Sequence, residues 1–185
     1  MKKVIGLTVV LMVFFLAANV QAVDLKGKFA LSGAGGLAMP MGDFNDFYKM
    51  GFGGGVEAEY FVLSQLSAGG NFTYNMFSLD DEFAEDSDDE KYKIMTFGAF
   101  GKYIFITEGK FLPYGKFGFN FNTPKFADET GDTKMGISIG GGGMYMASEM
   151  VGVGAEVMFH SIFTEGSSTQ YLTFYGKISV FLGAK

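Results

Sequence analysis

The chain has 185 residues, no cysteine and a formal net charge of −6 from 14 basic and 20 acidic residues. The length fits one domain, and no disulfide is used to hold the fold. All the basic residues are lysine. This acidic balance excludes a nucleic-acid partner, because phosphate neutralisation needs a basic surface.

The N-terminus has the order of a secretory signal peptide. Lys2 and Lys3 precede an apolar run over 4–18, and Val20-Gln21-Ala22 resembles an A-x-A cleavage site. The run is shorter than the roughly 20 residues of a spanning helix, which disfavours the alternative of a membrane anchor. The sequence predicts a signal peptide over 1–22 and one mature domain over 23–185, with a net charge of −8 after Lys2 and Lys3 are removed.

The mature chain alternates apolar and polar residues over long segments. Between Leu66 and Phe77 the alternation is strict, which indicates a strand with one apolar face. We predict eight such strands, over 26–39, 51–62, 66–79, 92–106, 111–122, 136–147, 151–163 and 171–182. They exceed the usual strand of about five or six residues and reach the roughly 9–11 needed to cross a bilayer. Only a closed barrel satisfies backbone groups in lipid, so the predicted fold is an all-β, eight-stranded, antiparallel, up-and-down transmembrane β-barrel.

The predicted connections alternate between long and short. The long ones are 40–50, 80–91, 123–135 and 164–170, and the short ones are 63–65, 107–110 and 148–150. Outer-membrane barrels have long outer loops and short periplasmic turns. This alternation therefore places both termini in the periplasm.

Charged residues identify the inner face of each strand. A lysine facing lipid at the bilayer midplane costs about 2–4 kcal/mol. The face that carries charge is therefore assigned to the lumen, with Lys28, Glu57, Glu59, Lys102, Lys116, Glu156 and Lys177. In the fourth strand Lys93 and Lys102 differ in parity, so we expect Lys102 inside and Lys93 at the outer rim, where its stem can snorkel. A lumen this narrow is filled by side chains, which predicts a packed network of four lysines and three glutamates. The alternative is a gate that opens when the pairs exchange partners.

Aromatic residues fall where interface girdles are expected. They lie near the turns and near the long loops, namely Tyr60, Tyr103, Phe105 and Phe111, then Phe72, Tyr74, Phe121, Phe163 and Tyr171. A soluble, lipocalin-like carrier is the inverted alternative, with the apolar face inside. It is disfavoured because its exterior would be Gly, Ser, Asn and Thr, with fewer charges than the quarter or so typical of soluble surfaces.

The segment PMGDFNDFYKMGFGGGVEAEYFVLSQLSAGGNFTYN resembles the first two hairpins of small outer-membrane β-barrel proteins, such as the transmembrane domain of outer membrane protein A and its eight-stranded relatives. The resemblance implies an outer-membrane location, no catalytic residue and the precedent of a charge gate. Such barrels usually end in an aromatic residue that the assembly machinery reads. Here Phe181 stands four residues before the end and points inward by parity, which leads us to expect less efficient assembly.

Two other groups of residues suggest chemistry. In 80–90, eight of eleven residues are acidic. This segment is interpreted as a solvated, self-repelling loop, with divalent-cation bridging to lipopolysaccharide phosphates as the alternative. His160, Ser161 and Glu165 contain the residue types of lipid A deacylases, but neighbours on a strand point to opposite faces. His160 is therefore predicted to be a lumen residue, and no enzyme activity is expected.

The predicted role is structural or interactive: envelope integrity, adhesion or partner binding through loops 40–50, 80–91 and 123–135. The expected surroundings are outer-membrane lipid and lipopolysaccharide. The chain is expected to be a monomer and to need no cofactor or metal. The alternative function is a narrow gated pore, or a transporter of small solutes across the outer membrane.

Overall fold

The computed structural model describes residues 23–80, 91–126, 129–164 and 167–183. The predicted signal peptide, most of the acidic segment 80–90 and Glu165 lie outside these residues. The described residues form nine strands: β1 (Phe29–Met41), β2 (Tyr48–Phe61), β3 (Leu66–Leu79), β4 (Lys91–Ile104), β5 (Phe111–Phe126), β6 (Glu129–Thr130), β7 (Lys134–Met146), β8 (Val151–Thr164) and β9 (Ser167–Leu182). A short 3-10 helix, Gly42–Asp46, joins β1 to β2. Among the described residues, no helix is long and apolar enough to cross a membrane.

The eight long strands close into one barrel. Each pairs antiparallel with its neighbours along the chain, β5 with β7 across the short β6, and β1 pairs with β9 to complete the ring. This closure confirms the predicted all-β, eight-stranded, up-and-down barrel. The two-residue strand β6 pairs only with the last residues of β5 among the described strands, and it lies outside the ring.

The inward and outward faces follow the predicted parity. The register of β4 runs without interruption against β3 and β5, so Lys102 is buried inside and Lys93 lies on the outward face near the strand's start. The outward apolar residues are exposed, Phe97 by 68% of its surface. Exposed side chains of this kind on every long strand form a continuous apolar belt, including Leu31, Phe52, Phe72, Phe97, Phe119, Ile139, Val157 and Ile178.

Several strands are longer than the alternation predicts. β5 continues to Phe126 and β7 begins at Lys134, so most of the predicted loop 123–135 is hairpin. β9 likewise begins at Ser167, inside the predicted loop 164–170. Strand pairing persists where the apolar alternation has ended, since β5 pairs with β4 as far as Phe126. Just outside β7, the hydroxyl oxygens of Thr123 and Thr133 lie 2.8 Å apart. The alternation therefore marks only the part of each strand that carries the belt.

The two mouths of the barrel differ. We call the mouth with the short connections β2–β3, β4–β5 and β7–β8 the turn end; the first and last described residues also lie there. The opposite mouth, with the 3-10 helix and the β3–β4, β5–β7 and β8–β9 connections, is the loop end.

Candidate functional site: the lumen of the barrel

An apolar layer closes the lumen at the turn end. We call it the turn-end seal; its buried members are Leu25, Ala30, Phe61, Ile104, Leu112, Tyr114, Met144, Met146 and Phe181. Leu25 reaches the layer from outside the strands. Gly27, at φ 77°, allows a tight turn in which the Lys28 amide donates to the Leu25 carbonyl at 2.9 Å. This turn folds the chain back under the barrel, so that Leu25 fills its mouth.

An ion-pair layer occupies the middle of the lumen. Lys116 and Lys177 each donate to Glu57 and also contact Glu156, at 3.2 Å and 3.5 Å respectively. Tyr114 donates its hydroxyl to Glu156 Oε2 at 3.1 Å. All four charged side chains are buried. Each carboxylate therefore serves both lysines, and the layer is neutral as a unit.

A second buried pair lies next to the turn-end seal. Lys102 donates to Glu59, and both residues are almost fully buried, at 2% and 1% exposed. Ser67 donates to the other Glu59 oxygen at 2.6 Å. The Lys102 ammonium also lies over the rings of Phe61 and Tyr114, at 5.2 Å and 5.1 Å from their centroids. Apolar and aromatic surroundings thus isolate this pair from water.

Lys28 is not part of either ion-pair group. It has the inward parity of the other predicted lumen charges but precedes β1 at the turn end, where it is half-buried. Leu25 already fills the mouth at that level. The six other predicted residues divide into the four-residue layer and the separate Glu59–Lys102 pair, giving three lysines and three glutamates.

A third layer, which we call the loop-end seal, closes the opposite mouth. Its buried members are Ala38, Phe44, Phe77, Ile94, Ile162 and Tyr171, with Tyr48 and Tyr92 packed against them. Phe44 is carried by the 3-10 helix into the mouth, where its ring centroid lies 4.8 Å from that of Tyr48 and 5.0 Å from that of Phe77. Part of the predicted surface loop 40–50 is therefore a plug.

Tyr171 corrects the predicted aromatic girdle. It is fully buried within the lumen and does not face lipid. Its ring stacks on His160 with centroids 4.5 Å apart and planes 5° apart. Strand parity alone predicts the inward position of Tyr171, because Tyr171 lies on the same face of β9 as the lumen residue Lys177.

His160 lies in the lumen, as its parity predicts. Its Nε2 is 3.2 Å from Thr173 Oγ1, while its Nδ1 has no hydrogen-bond partner among the described residues. Ser161 follows it on the strand and pairs in register with Gln170, whereas His160 pairs with Tyr171. His160 therefore packs on Tyr171 and contacts the Thr173 hydroxyl, and the structure shows no hydrogen bond between His160 and the Ser161 hydroxyl.

A small cavity separates the ion-pair layer from the loop-end seal. It is lined by Glu57, Lys116 and Glu156 on one side and by Thr73 and His160 towards the loop end. The space open to a water molecule there is about 20 Å³, enough for about one water and too small for a nutrient-sized solute. Glycines permit such tight filling: a Cβ on Gly53 would collide with Asn75 and with the Tyr175 hydroxyl. Buried apolar side chains fill the lumen on either side of this layer and cavity, in the turn-end seal and the loop-end seal.

The site offers packing and buried charge in place of an open binding pocket. Within the described residues, no group of three or more His, Cys, Asp or Glu side chains could hold a metal ion. A closed barrel with an apolar outer belt and a plugged, charged interior is the architecture of a small membrane-spanning barrel. The class defined by fold and lumen is thus a β-barrel membrane protein.

Comparison with known proteins gives the family. The outer membrane protein β-barrel domain family matches residues 8–182. The chain belongs to this family, which places it in the outer membrane. No curated protein matches its sequence.

Solved structures show the same fold at low sequence identity. Neisserial surface protein A aligns with a TM-score of 0.65 and 16% identity, covering 84% of this chain and 97% of that protein. OprG of Pseudomonas aeruginosa gives 0.60 and 14%, covering 90% and 100%. Ail, the attachment invasion locus protein of Yersinia pestis, gives 0.59 and 14%, covering 85% and 99%. Ail is also known in complex with the heparin analogue sucrose octasulfate.

Proposed function

We propose that this chain is a non-conducting outer-membrane scaffold whose loop end acts at the cell surface, in adhesion, partner binding or envelope integrity. The observation that carries the proposal is the filled lumen, with an apolar seal at each mouth and an ion-pair layer between them. In this proposal the segment 1–22 is a cleaved signal peptide, the turn end faces the periplasm, and the mature chain is a monomer in contact with lipid and lipopolysaccharide.

The loop end provides the interaction surface. The β5–β7 hairpin carries exposed or half-buried charges of both signs, including Lys125, Glu129, Asp132 and Lys134. Along the chain, the acidic segment 80–90 connects the end of β3 to the start of β4, and both of these strand ends lie at the loop end. A surface protein and an attachment protein among the similar folds support such a role. The polar loop-end residues, and not the lumen, are therefore the proposed contacts with a partner.

Cysteine labelling tests the proposed orientation. The chain has no cysteine, so Asp132→Cys at the loop end and Lys110→Cys at the turn end each introduce one thiol on an exposed residue. On intact cells, a membrane-impermeant maleimide is expected to label Asp132→Cys, and to label Lys110→Cys only after the outer membrane is broken. Labelling of Lys110→Cys in intact cells, with Asp132→Cys protected, would reverse the orientation.

Single-channel recording tests the absence of conduction. In planar bilayers the mature protein is expected to give only rare, small openings, and Glu57→Gln is expected to behave in the same way, because the amide keeps the volume and both seals remain. Glu108→Gln, at an exposed turn-end residue, is the matched control. Folding of each variant is checked by its change in gel mobility on boiling.

A narrow gated pore is the second candidate. It is favoured by one observation: Lys116 and Lys177 both contact Glu57 and Glu156. Either lysine can therefore shift from one glutamate to the other while remaining paired with a carboxylate. Sustained wild-type current, or a severalfold rise in open probability in Glu57→Gln but not in Glu108→Gln, would support this pore and contradict the closed scaffold.

A further inference from the structure

Two lysines face each other on the outer surface at the loop end. Lys93 on β4 and Lys125 on β5 are direct partners in the antiparallel register. Both have the outward parity of Phe97 and Phe121, which are themselves partners four residues further into the belt on each strand. We call Lys93 and Lys125 the lysine pair. It stands where the apolar belt gives way to polar hairpin.

The lysine pair lacks a counter-ion in the described structure. Like charges directly opposite on a sheet repel and destabilise the pairing, yet neither lysine forms an ion pair with a described residue. The neighbouring Lys49 does have one, with Asp80 at 3.8 Å. Glu129 and Asp132 are exposed in the adjacent hairpin, where Glu129 pairs in register with Phe126. An external anion held between the two ammonium groups would remove the repulsion.

A third lysine stands beside the lysine pair on the outward face. Lys91, also on the outward face of β4, lies two residues beyond Lys93. Near the loop-end termini of β1, β7 and β8 the exposed outward residues include Met39, Met135 and Phe163. This asymmetry indicates a local site and not a general basic rim.

Below the lysine pair lies an apolar surface suited to acyl chains. Phe97 and Phe121 are partners in the β4–β5 ladder, and Phe72 on β3 pairs with Phe97. All three are exposed. A ligand with a phosphate above and hydrocarbon below would contact both features at once. Lysine stems can extend along this surface while their ammonium groups remain at the interface.

We propose that the lysine pair binds the phosphate of an outer-leaflet phosphorylated glycolipid, whose acyl chains lie along the aromatic surface beneath it. Lysine binds phosphate as a compact point charge, and each lysine near an anionic membrane surface contributes favourably to binding. The site rests on the proposed orientation, with the loop end in the outer leaflet. A sulfated polysaccharide is the competing anion, but it would not use the apolar surface.

The test compares retention of bisphosphorylated lipid A by native mass spectrometry of the mature protein in detergent. Lys93→Gln/Lys125→Gln is the test variant, and Lys26→Gln/Lys110→Gln, at two exposed turn-end lysines, is the matched control. The test variant is expected to weaken binding about thirtyfold, with the control unchanged. Dephosphorylated lipid A is expected to bind all forms equally weakly. Both variants are first shown to be folded by their change in gel mobility on boiling.

Four results would overturn the proposal. Two concern the variants: the test variant retains lipid A as well as the wild type does, or the test and control variants lose binding equally. Two concern the ligand: the wild type binds dephosphorylated lipid A as tightly as the phosphorylated form, or equimolar inorganic phosphate displaces lipid A. Binding of sucrose octasulfate that requires the lysine pair, while lipid A binding does not, would assign it to a polysaccharide instead. Outside labelling of Asp132→Cys tests the orientation and single-channel recording tests the closed lumen, so failure of the lipid site is distinguishable from failure of the proposed function.

Discussion

Replacing Glu57 with alanine is expected to lower the free energy of unfolding by about 3–5 kcal/mol, because it leaves a buried charge without its partner. Glu57 accepts hydrogen bonds from both Lys116 and Lys177. Without it, both lysines depend on Glu156, whose contacts with them are longer. Denaturant unfolding of the protein in detergent micelles, followed by the shift in gel mobility, measures the change.

Two further variants separate pairing from a general loss of charge. Glu108→Ala removes an exposed turn-end carboxylate and should change stability by no more than about 0.5 kcal/mol. Glu156→Ala should also lower the free energy of unfolding, but by less than Glu57→Ala does. Part of that loss comes from the Tyr114 hydroxyl, which loses its hydrogen-bond acceptor. An unfolding midpoint for Glu57→Ala equal to that of Glu108→Ala would contradict a stabilising ion-pair layer.

The strand faces could be predicted because a charge in lipid is costly enough to determine them. Lys102 and Lys93 illustrate this on one strand, since their opposite parity allows only one to point inward without a bulge. The structure places Lys102 inside with an unbroken register. The barrel follows from the same logic, since alternation sustained over about a dozen residues leaves no other way to satisfy the backbone in a membrane.

The partners within the lumen could not be predicted from the same evidence. Glu57 lies 59 residues from Lys116 and 120 from Lys177 along the chain. Their contact depends on barrel closure and on the stagger of every intervening strand. Parity brings a side chain into the lumen but does not determine its height there. Lys28 shows the difference, because it has inward parity yet lies at the turn-end mouth.

The two seals were missed for a different reason. The alternation predicts a polar inner face along the whole of each strand, but only the middle of that face is polar. Phe44 and Leu25 lie outside the long alternating strands and enter the mouths through a 3-10 helix and a glycine turn. An aromatic residue near a strand end fits an interface girdle equally well, as Tyr171 did. These features depend on local backbone geometry that apolar periodicity does not record.

Replacing Phe181 with alanine is expected to destabilise the barrel by about 3–5 kcal/mol, as for a phenylalanine deleted from a packed core. Phe181 is 2% exposed, and its ring centroid lies 5.9 Å from that of Phe61 within the turn-end seal. Truncation leaves a cavity that neighbouring strands, held by their ladders, cannot collapse to fill. Equilibrium unfolding of the variant in detergent micelles measures the loss.

Phe119→Ala is the matched control, because Phe119 is 62% exposed on the outward face. Lipid or detergent fills the space left by that truncation. The cost should then be the transfer term alone, about half that of Phe181→Ala, because no cavity remains. If the two variants lose equal stability, the turn-end seal does not behave as a packed core. A larger loss for Phe181→Ala would show that this barrel is stabilised partly by a core inside its own lumen, with the lipid-facing belt contributing the remainder.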